Sequence, residues 1–447
     1  MKKTKFKSLI PINVRLEGFK VFREKIGTFF NAKVSLVRTK KAFLTKAGID
    51  DRQLKQNIIL LDNGCTMYVT VGDVDEQAVP AVIKISRRNL PFVKMERKFA
   101  GSMSSLLTSY FTKFKRARDF ERLIPILVQS FQSSVIAHQL RVNNYSIELS
   151  LNLLSDFQRI ILRDYEGEPV STGVILTRNF YYLKQNVEKL GIILTPIEKL
   201  SFKGSFLQTK RGLMLVDGKN SLFVINKQRR IYAVITQKPG FEDDIGENQY
   251  VPQPQWLYRV LRGRDWAILT TKNREIELIC RGLLKLRYKN GLWSTVPLAS
   301  FFDSFKAYSS DSKCAQKLLC LIEHLSVSRK GALFVIVDNS RILKDLIEDK
   351  KDAVNATLEG TLNLQTSPTE IIKNISVIDG AVILSKDGEI LASGAHVHPH
   401  PSVTGKPIEG TRTAAALSAS YLGYTIKVSH DGDVTAYSKG KIKFHIQ

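Results

Sequence analysis

Two hydrophobic periods alternate along this chain, and the places where one gives way to the other mark its organisation. In residues 1–100 short apolar runs are separated by charged turns, and the runs 57–61, 66–71 and 81–85 predict strands. From 103 to 162 the period lengthens. Leu106, Leu107, Tyr110, Phe111 and Phe114 recur at i, i+3, i+4 spacing, and Ile147, Leu149, Leu151, Leu154 and Phe157 do so more loosely, which predicts a helical block. Pro125 is expected to start or kink a helix there. Between about 170 and 295 the strand pattern returns. Runs 212–216, 221–226 and 231–236 predict strands, with Asp217-Gly218 as a hairpin turn between the first two, and Asn290-Gly291 turns run 284–288 into run 292–296. Pro297 closes that unit, so a boundary is expected near 298.

The last third follows a β-α-β pattern. Residues 314–327 predict an amphipathic helix. The continuous apolar run from Gly331 to Val337 suits a strand buried on both faces, hence a mixed sheet flanked by helices. Ser367-Pro368-Thr369-Glu370 has the form of a capping box with proline at the first helical position, so a helix is expected to begin there. Runs 381–385 and 389–393, joined by Asp387-Gly388, predict a hairpin directly behind Asp379. A helix of small residues, 411–420, is followed by strands 425–428 and 433–437. The expected class is α/β (α+β overall): a C-terminal mixed β-sheet flanked by helices, preceded by a mixed α+β region.

Composition narrows the picture modestly. With 447 residues, 43% hydrophobic and 24% charged, the chain suits two or three globular domains and argues against long disorder. Cys65, Cys280, Cys314 and Cys320 have no CxxC spacing, so neither a zinc knuckle nor a disulfide framework is indicated, which suits a reducing cytoplasm. The basic N-terminus lacks a sustained apolar core, and no run approaches the length of a spanning helix, so neither a signal peptide nor a membrane partner is expected.

Charge changes the picture more. Of the net +25, residues 301–447 carry 17 Lys and Arg against 16 Asp and Glu, so 24 of the excess charges lie in residues 1–300. A nucleic acid or another anionic ligand is therefore a candidate partner of the N-terminal region. Lys113, Lys115, Arg116 and Arg118, the pair Arg229-Arg230, and Arg262 and Arg264 beside Trp266 are its basic runs; each also suits a solvated face. Glu242-Asp243-Asp244 with Glu247 reads as a solubilising turn.

The candidate chemistry lies in three short motifs. Asp379-Gly380-Ala381 stands at a helix-to-strand junction, where a carboxylate can hold Mg²⁺ or Mn²⁺ and small neighbours admit a ligand; it also suits a plain turn. Gly410-Thr411-Arg412-Thr413 opens a helix, with free N–H groups, a hydroxyl and a guanidinium fork suited to phosphate, or simply caps that helix. Ser429-His430-Asp431-Gly432 ends a strand, where His430 and Asp431 are metal-ligand candidates or parts of a polar turn. His396, His398 and His400 lie in a segment with prolines at 399 and 401, which suits a loop better than a metal site.

Taken in order and spacing, the helix leading into Gly331-Ala332-Leu333-Phe334-Val335-Ile336, Asp379-Gly380-Ala381, Gly410-Thr411-Arg412 and Val428-Ser429 resemble the diadenylate cyclase domain, over roughly the final third of the chain. The resemblance implies an ATP substrate joined pairwise into cyclic di-AMP with release of pyrophosphate. It also implies a face-to-face homodimer or higher homo-oligomer. It assigns catalysis to Asp379, Thr411 and Arg412, and nucleotide binding to Gly380, Ala381, Gly410, Thr411, Arg412, Thr413 and Ser429. Metal binding falls to Asp379, with His430 and Asp431 as further ligands.

Two departures stand out. Thr413 and Ala414 replace the histidine and second arginine usual after Gly-Thr-Arg, and His430-Asp431 replaces two glutamates. A phosphate contact is then left to Lys406, Lys427 or the basic N-terminal part. Residues 1–298 resemble the sensor regions preceding such domains, nearest the group called DACNV, as one domain or two split near 170; 299–447 is the cyclase-like domain. The function expected is a cytoplasmic diadenylate cyclase regulated by a sensor region. The alternatives are a catalytically silent nucleotide sensor and a nucleic-acid-binding protein.

Overall fold

The computed structural model describes residues 12–37, 58–71, 81–87, 90–113, 117–142, 145–197, 200–241, 251–280, 284–309, 311–347, 362–404, 407 and 410–446. The chain divides into two compact units. One is built from residues before 88 with 91–241 and 254–296; the other comprises Leu90, 251–253 and residues from 297 onward.

Among the described residues, the first unit contains two large sheets, a two-stranded ribbon (Asp164–Tyr165 with Glu168–Pro169) and a helical layer. Lys33–Val37, Ala81–Ser86, Thr66–Val71 and Ile58–Leu61 lie in that spatial order, all antiparallel. An eight-stranded sheet runs from Leu292–Val296 at one edge to Ile192–Pro196 at the other, with Gly173–Leu176 and Ser221–Ile225 as its parallel pair. Helices Lys94–Lys113, Ala117–Val142 and Ile147–Ile160 form the expected helical block. One cluster of buried side chains runs from Phe19 to Trp293, across the change of pattern near 170.

Several expectations are corrected. Ile12–Phe30 is a helix within a region expected to be strands. Phe19, Phe22, Ile26, Phe29 and Phe30 are buried at helical spacing, so the long period was present beneath the charged residues between them. Of the two places expected for Pro125, the helix start is ruled out: it lies inside Ala117–Val142, exposed, the position of a kinking proline. Run 212–216 is not a strand: Lys210–Leu213 is helical, with Leu213 and Val216 buried and Met214 and Leu215 exposed. Burial three residues apart is a helical period, which a five-residue apolar run does not reveal by itself. Of the basic and acidic runs, Lys115, Arg116 and residues 242–247 lie outside the described residues, and Arg229 is paired with Asp156.

The second unit is a six-stranded mixed sheet. Its strands are β1 (Ala332–Val337), β2 (Ala381–Ser385), β3 (Ile390–Ala395), β4 (Tyr424–Val428), β5 (Val434–Ser438) and β6 (Lys441–Ile446), in the spatial order β3-β2-β1-β4-β5-β6. Only the β1–β2 pair is parallel. Among the described residues, four helices of eight or more residues accompany it, α1 (Leu298–Phe305), α2 (Ser312–Val327), α3 (Thr369–Ser376) and α4 (Thr411–Ala419), besides the single helical turn Leu343–Leu346.

Every residue of β1 is buried, as the continuous apolar run predicts. Leu333, Val335 and Val337 face Ala416 and Ala419 of α4, whose small side chains let the helix lie close to the sheet. Phe334 and Ile336 point the other way. Phe301 packs on Phe444 at 3.9 Å between ring centres, and Tyr308 stacks on Tyr424 at 4.0 Å. The α3 start differs in detail from a capping box: the Ser367 hydroxyl accepts the Asn363 N–H at 3.0 Å and makes no cap bond to the helix.

Candidate functional site

Strand register assembles the site. β1 and β2 pair Phe334 with Val382, while β1 and β4 pair Ala332 with Val428. Continued to the strand ends, the same register sets Gly331 between Asp379 and Ser429. Adjacent strands lie about 4.8 Å apart, so three motifs scattered over a hundred residues meet at one end of the sheet. α4 begins over this end, and Arg412 and Thr413 lie in its first turn.

Asp379 is exposed in the turn between α3 and β2, and its Oδ1 accepts the Gly380 N–H at 3.1 Å. Gly380 has φ of 106°, and a Cβ there would strike the backbone of Gly394 and Ala395 on β3. This position therefore calls for glycine on two grounds, conformation and close backbone approach. Ala381 is fully buried as the first residue of β2.

Gly410, at φ of 83°, precedes α4, and its carbonyl accepts the Thr413 and Ala414 N–H groups at 3.1 Å each. Thr411 is exposed at the first helical position. Arg412 folds back across the sheet end. Its Cζ lies 3.0 Å, and His430 Nε2 3.1 Å, from the point a Gly331 Cβ would occupy. Gly331 is thus the floor on which the guanidinium and the imidazole lie together.

Lys427 enters from β4. It points to the same side as Thr425, whose buried hydroxyl donates to the Ala416 carbonyl at 3.0 Å; Lys427 Nζ donates to Thr413 Oγ1, also at 3.0 Å. Burial holds the Lys427 ammonium below its usual value; Asp433 opposes the shift and Arg412 adds to it. Ser429 is engaged by its own turn, its Oγ accepting the Asp433 N–H at 3.0 Å and its N–H donating to the Asp433 carbonyl at 2.9 Å.

The structure therefore gathers Gly331, Arg412, Thr413, Lys427 and His430, with Asp379 and Ser429 just beyond the ends of the flanking strands. Gly331 was legible only as a strand start, although a glycine heading a buried strand is a sign of close approach. Lys427 was one of three candidates for an added phosphate contact, and Lys406, the second, lies outside the described residues.

The expected metal ligands are not gathered in the same way. Among the described residues no three His, Cys, Asp or Glu side chains form a group able to hold a metal ion. His430 lies beside a guanidinium, a neighbourhood that repels a cation. The residues fit Mg²⁺ or Mn²⁺ in one way: Asp379 supplies a single carboxylate to a shell completed by phosphate oxygens and water. The 396–400 histidines form a tied loop. The His398 N–H donates to the Leu346 carbonyl at 2.9 Å, and the His400 ring stacks on Tyr421 at 4.0 Å between centres.

Residues 321–442 match the family described as DAC, the DisA bacterial checkpoint controller nucleotide-binding domain. Among solved structures the chain is similar to the hypothetical membrane spanning protein from Bacillus cereus. The identity is 22% over 34% of this chain and 72% of that one, with a TM-score of 0.27. It is also similar to a double mutant of DacA from Staphylococcus aureus, at 21% identity over 29% of this chain and 84% of that one, with a TM-score of 0.23. The curated proteins contain no match to the chain. Among the described residues, no helix is long and apolar enough to cross a membrane.

Proposed function

We propose, with the DAC domain of the C-terminal region as premise, that this chain binds ATP at the Gly331 end of the second sheet. Two such chains, facing each other, would join two ATP molecules into cyclic di-AMP. The observation that carries this reading is the register that sets Asp379, Gly331 and Ser429 side by side beneath the first turn of α4.

In the reaction, the 3′-hydroxyl oxygen of each ATP attacks the α-phosphorus of the other. Each attack forms one P–O bond and breaks the bond to pyrophosphate; the two hydroxyl protons pass to solvent, and two pyrophosphates leave. Arg412 holds phosphate oxygens and offsets their charge, and the first turn of α4 orients the chain of phosphates. Gly331 lets the Arg412 guanidinium lie close against the sheet end. A divalent cation held by Asp379 would supply further positive charge at the reacting phosphates. One chain presents one such sheet end, so the chemistry needs a second copy opposite it. The basic N-terminal region would act as the sensor, its ligand shifting the population of facing pairs.

Dependence on a second chain makes a kinetic test available. Product formed per chain should rise with protein concentration and then level off; a rate per chain that is constant down to high dilution, in a protein that stays monomeric with ATP, would contradict the facing pair.

A second reading is supported by His430 lying against Arg412, where a carboxylate would offer a metal ligand. In that reading the domain binds ATP or cyclic di-AMP without turnover, and the test is saturable binding with no product.

A further inference from the structure

We infer that Lys427 is a phosphate-binding residue of this site and that, with Arg412, it favours ligands carrying linked phosphates over those carrying one. The inference rests on the nucleotide reading above and adds to it a residue that the site motifs do not contain. The geometry is specific. Thr425 and Lys427 project from β4 onto the same side of the sheet, and each bonds to α4, the first at Ala416 and the second at Thr413. These partners are three residues apart on α4, about one turn, so Lys427 reaches the first turn in the same register by which Thr425 reaches the next.

An ammonium has three donors, and Thr413 Oγ1 takes one. Arg412, next to Thr413 in the chain, lies against Gly331. The two cations thus meet at that turn, close enough for Arg412 to weigh on Lys427. Asp433 is the carboxylate that offsets Lys427, and burial outweighs it. Two cations held together at a half-buried helix start are unfavourable without an anion. An anion with charge on successive groups can meet both, the guanidinium by its fork and the ammonium as a point charge. A single phosphate must divide its oxygens and its charge between the two.

The test is equilibrium titration of the full chain with ATP and with AMP, for wild type, Lys427→Gln and Lys427→Arg. Glutamine keeps a donor for Thr413 Oγ1 and removes the charge. Loss of one charge-assisted bond predicts a roughly 10-fold or greater weakening of ATP binding, with AMP changed by less than about 3-fold, and arginine restoring most of the difference. Should glutamine disturb the fold, Lys427→Met supplies the same ATP-to-AMP comparison. An unchanged ATP-to-AMP ratio in a charge-free variant overturns the inference, because a residue that merely braced Thr413 would affect both ligands alike. Wild type that binds AMP and ATP equally overturns it too, with the nucleotide reading left standing. Wild type that binds neither overturns the nucleotide reading and, with it, this inference.

Discussion

At Gly331 a Cβ would fall on the Arg412 guanidinium and against His430, whereas at Gly380 it would fall on the backbone of β3. The two glycines therefore respond differently to the same change. Gly331→Ala meets the far end of a flexible side chain. It should leave stability within about 1 kcal/mol of wild type while weakening ATP binding roughly 10-fold as the guanidinium is displaced. Gly380→Ala adds a strained φ to an immovable neighbour and should cost about 2–3 kcal/mol, read as a lower denaturant midpoint. The Asp379-Gly380 signal was legible in the sequence because a carboxylate and a positive-φ glycine are both local properties. The part played by Gly331 was not, because it depends on a register between strands nearly a hundred residues apart. His430 reads locally as a metal ligand, and its position beside Arg412 is not a local property at all.

Pattern length decided which elements were legible. β1 and the α4 helix of small residues could be read from the sequence, being long enough and bounded by turn residues. Run 212–216 was too short to separate a helical turn from a strand, and Ile12–Phe30 hid five buried apolar positions among charged ones. Between elements, the Thr425 bond to Ala416 fixes α4 on β4. Thr425→Val keeps the shape and removes this bond, leaving the Ala416 carbonyl to the Ser420 N–H alone. It should destabilise the second unit by about 0.5–1.5 kcal/mol, and thermal unfolding checks this. In the first unit, Arg87 and Glu96 form a buried ion pair, and Arg87 also donates to the Phe30 carbonyl and to Thr295 Oγ1. One guanidinium thus joins a helix end, a helix start and an edge strand. Glu96→Ala leaves that charge buried without its carboxylate and should cost about 3–5 kcal/mol, read from chemical denaturation.

For the whole molecule, charge and chemistry are separated along the chain: residues 301–447 are close to neutral and carry the site, and residues 1–300 carry 24 excess positive charges. If that field serves an anionic polymer, binding of the full chain to nucleic acid should weaken steeply as salt rises, with a slope set by the number of phosphates met. Binding that is absent at low salt would leave the excess charge to solubility alone. The cyclase account makes the sharper claim. Purified chain should be incubated with ATP and Mn²⁺ or Mg²⁺, and cyclic di-AMP followed by mass spectrometry beside Asp379→Asn. The account predicts product from wild type and at least a 100-fold loss in the variant, about 2.7 kcal/mol of transition-state stabilisation. ATP bound by a wild type that pairs but yields no product would contradict the cyclase and leave a nucleotide sensor in its place.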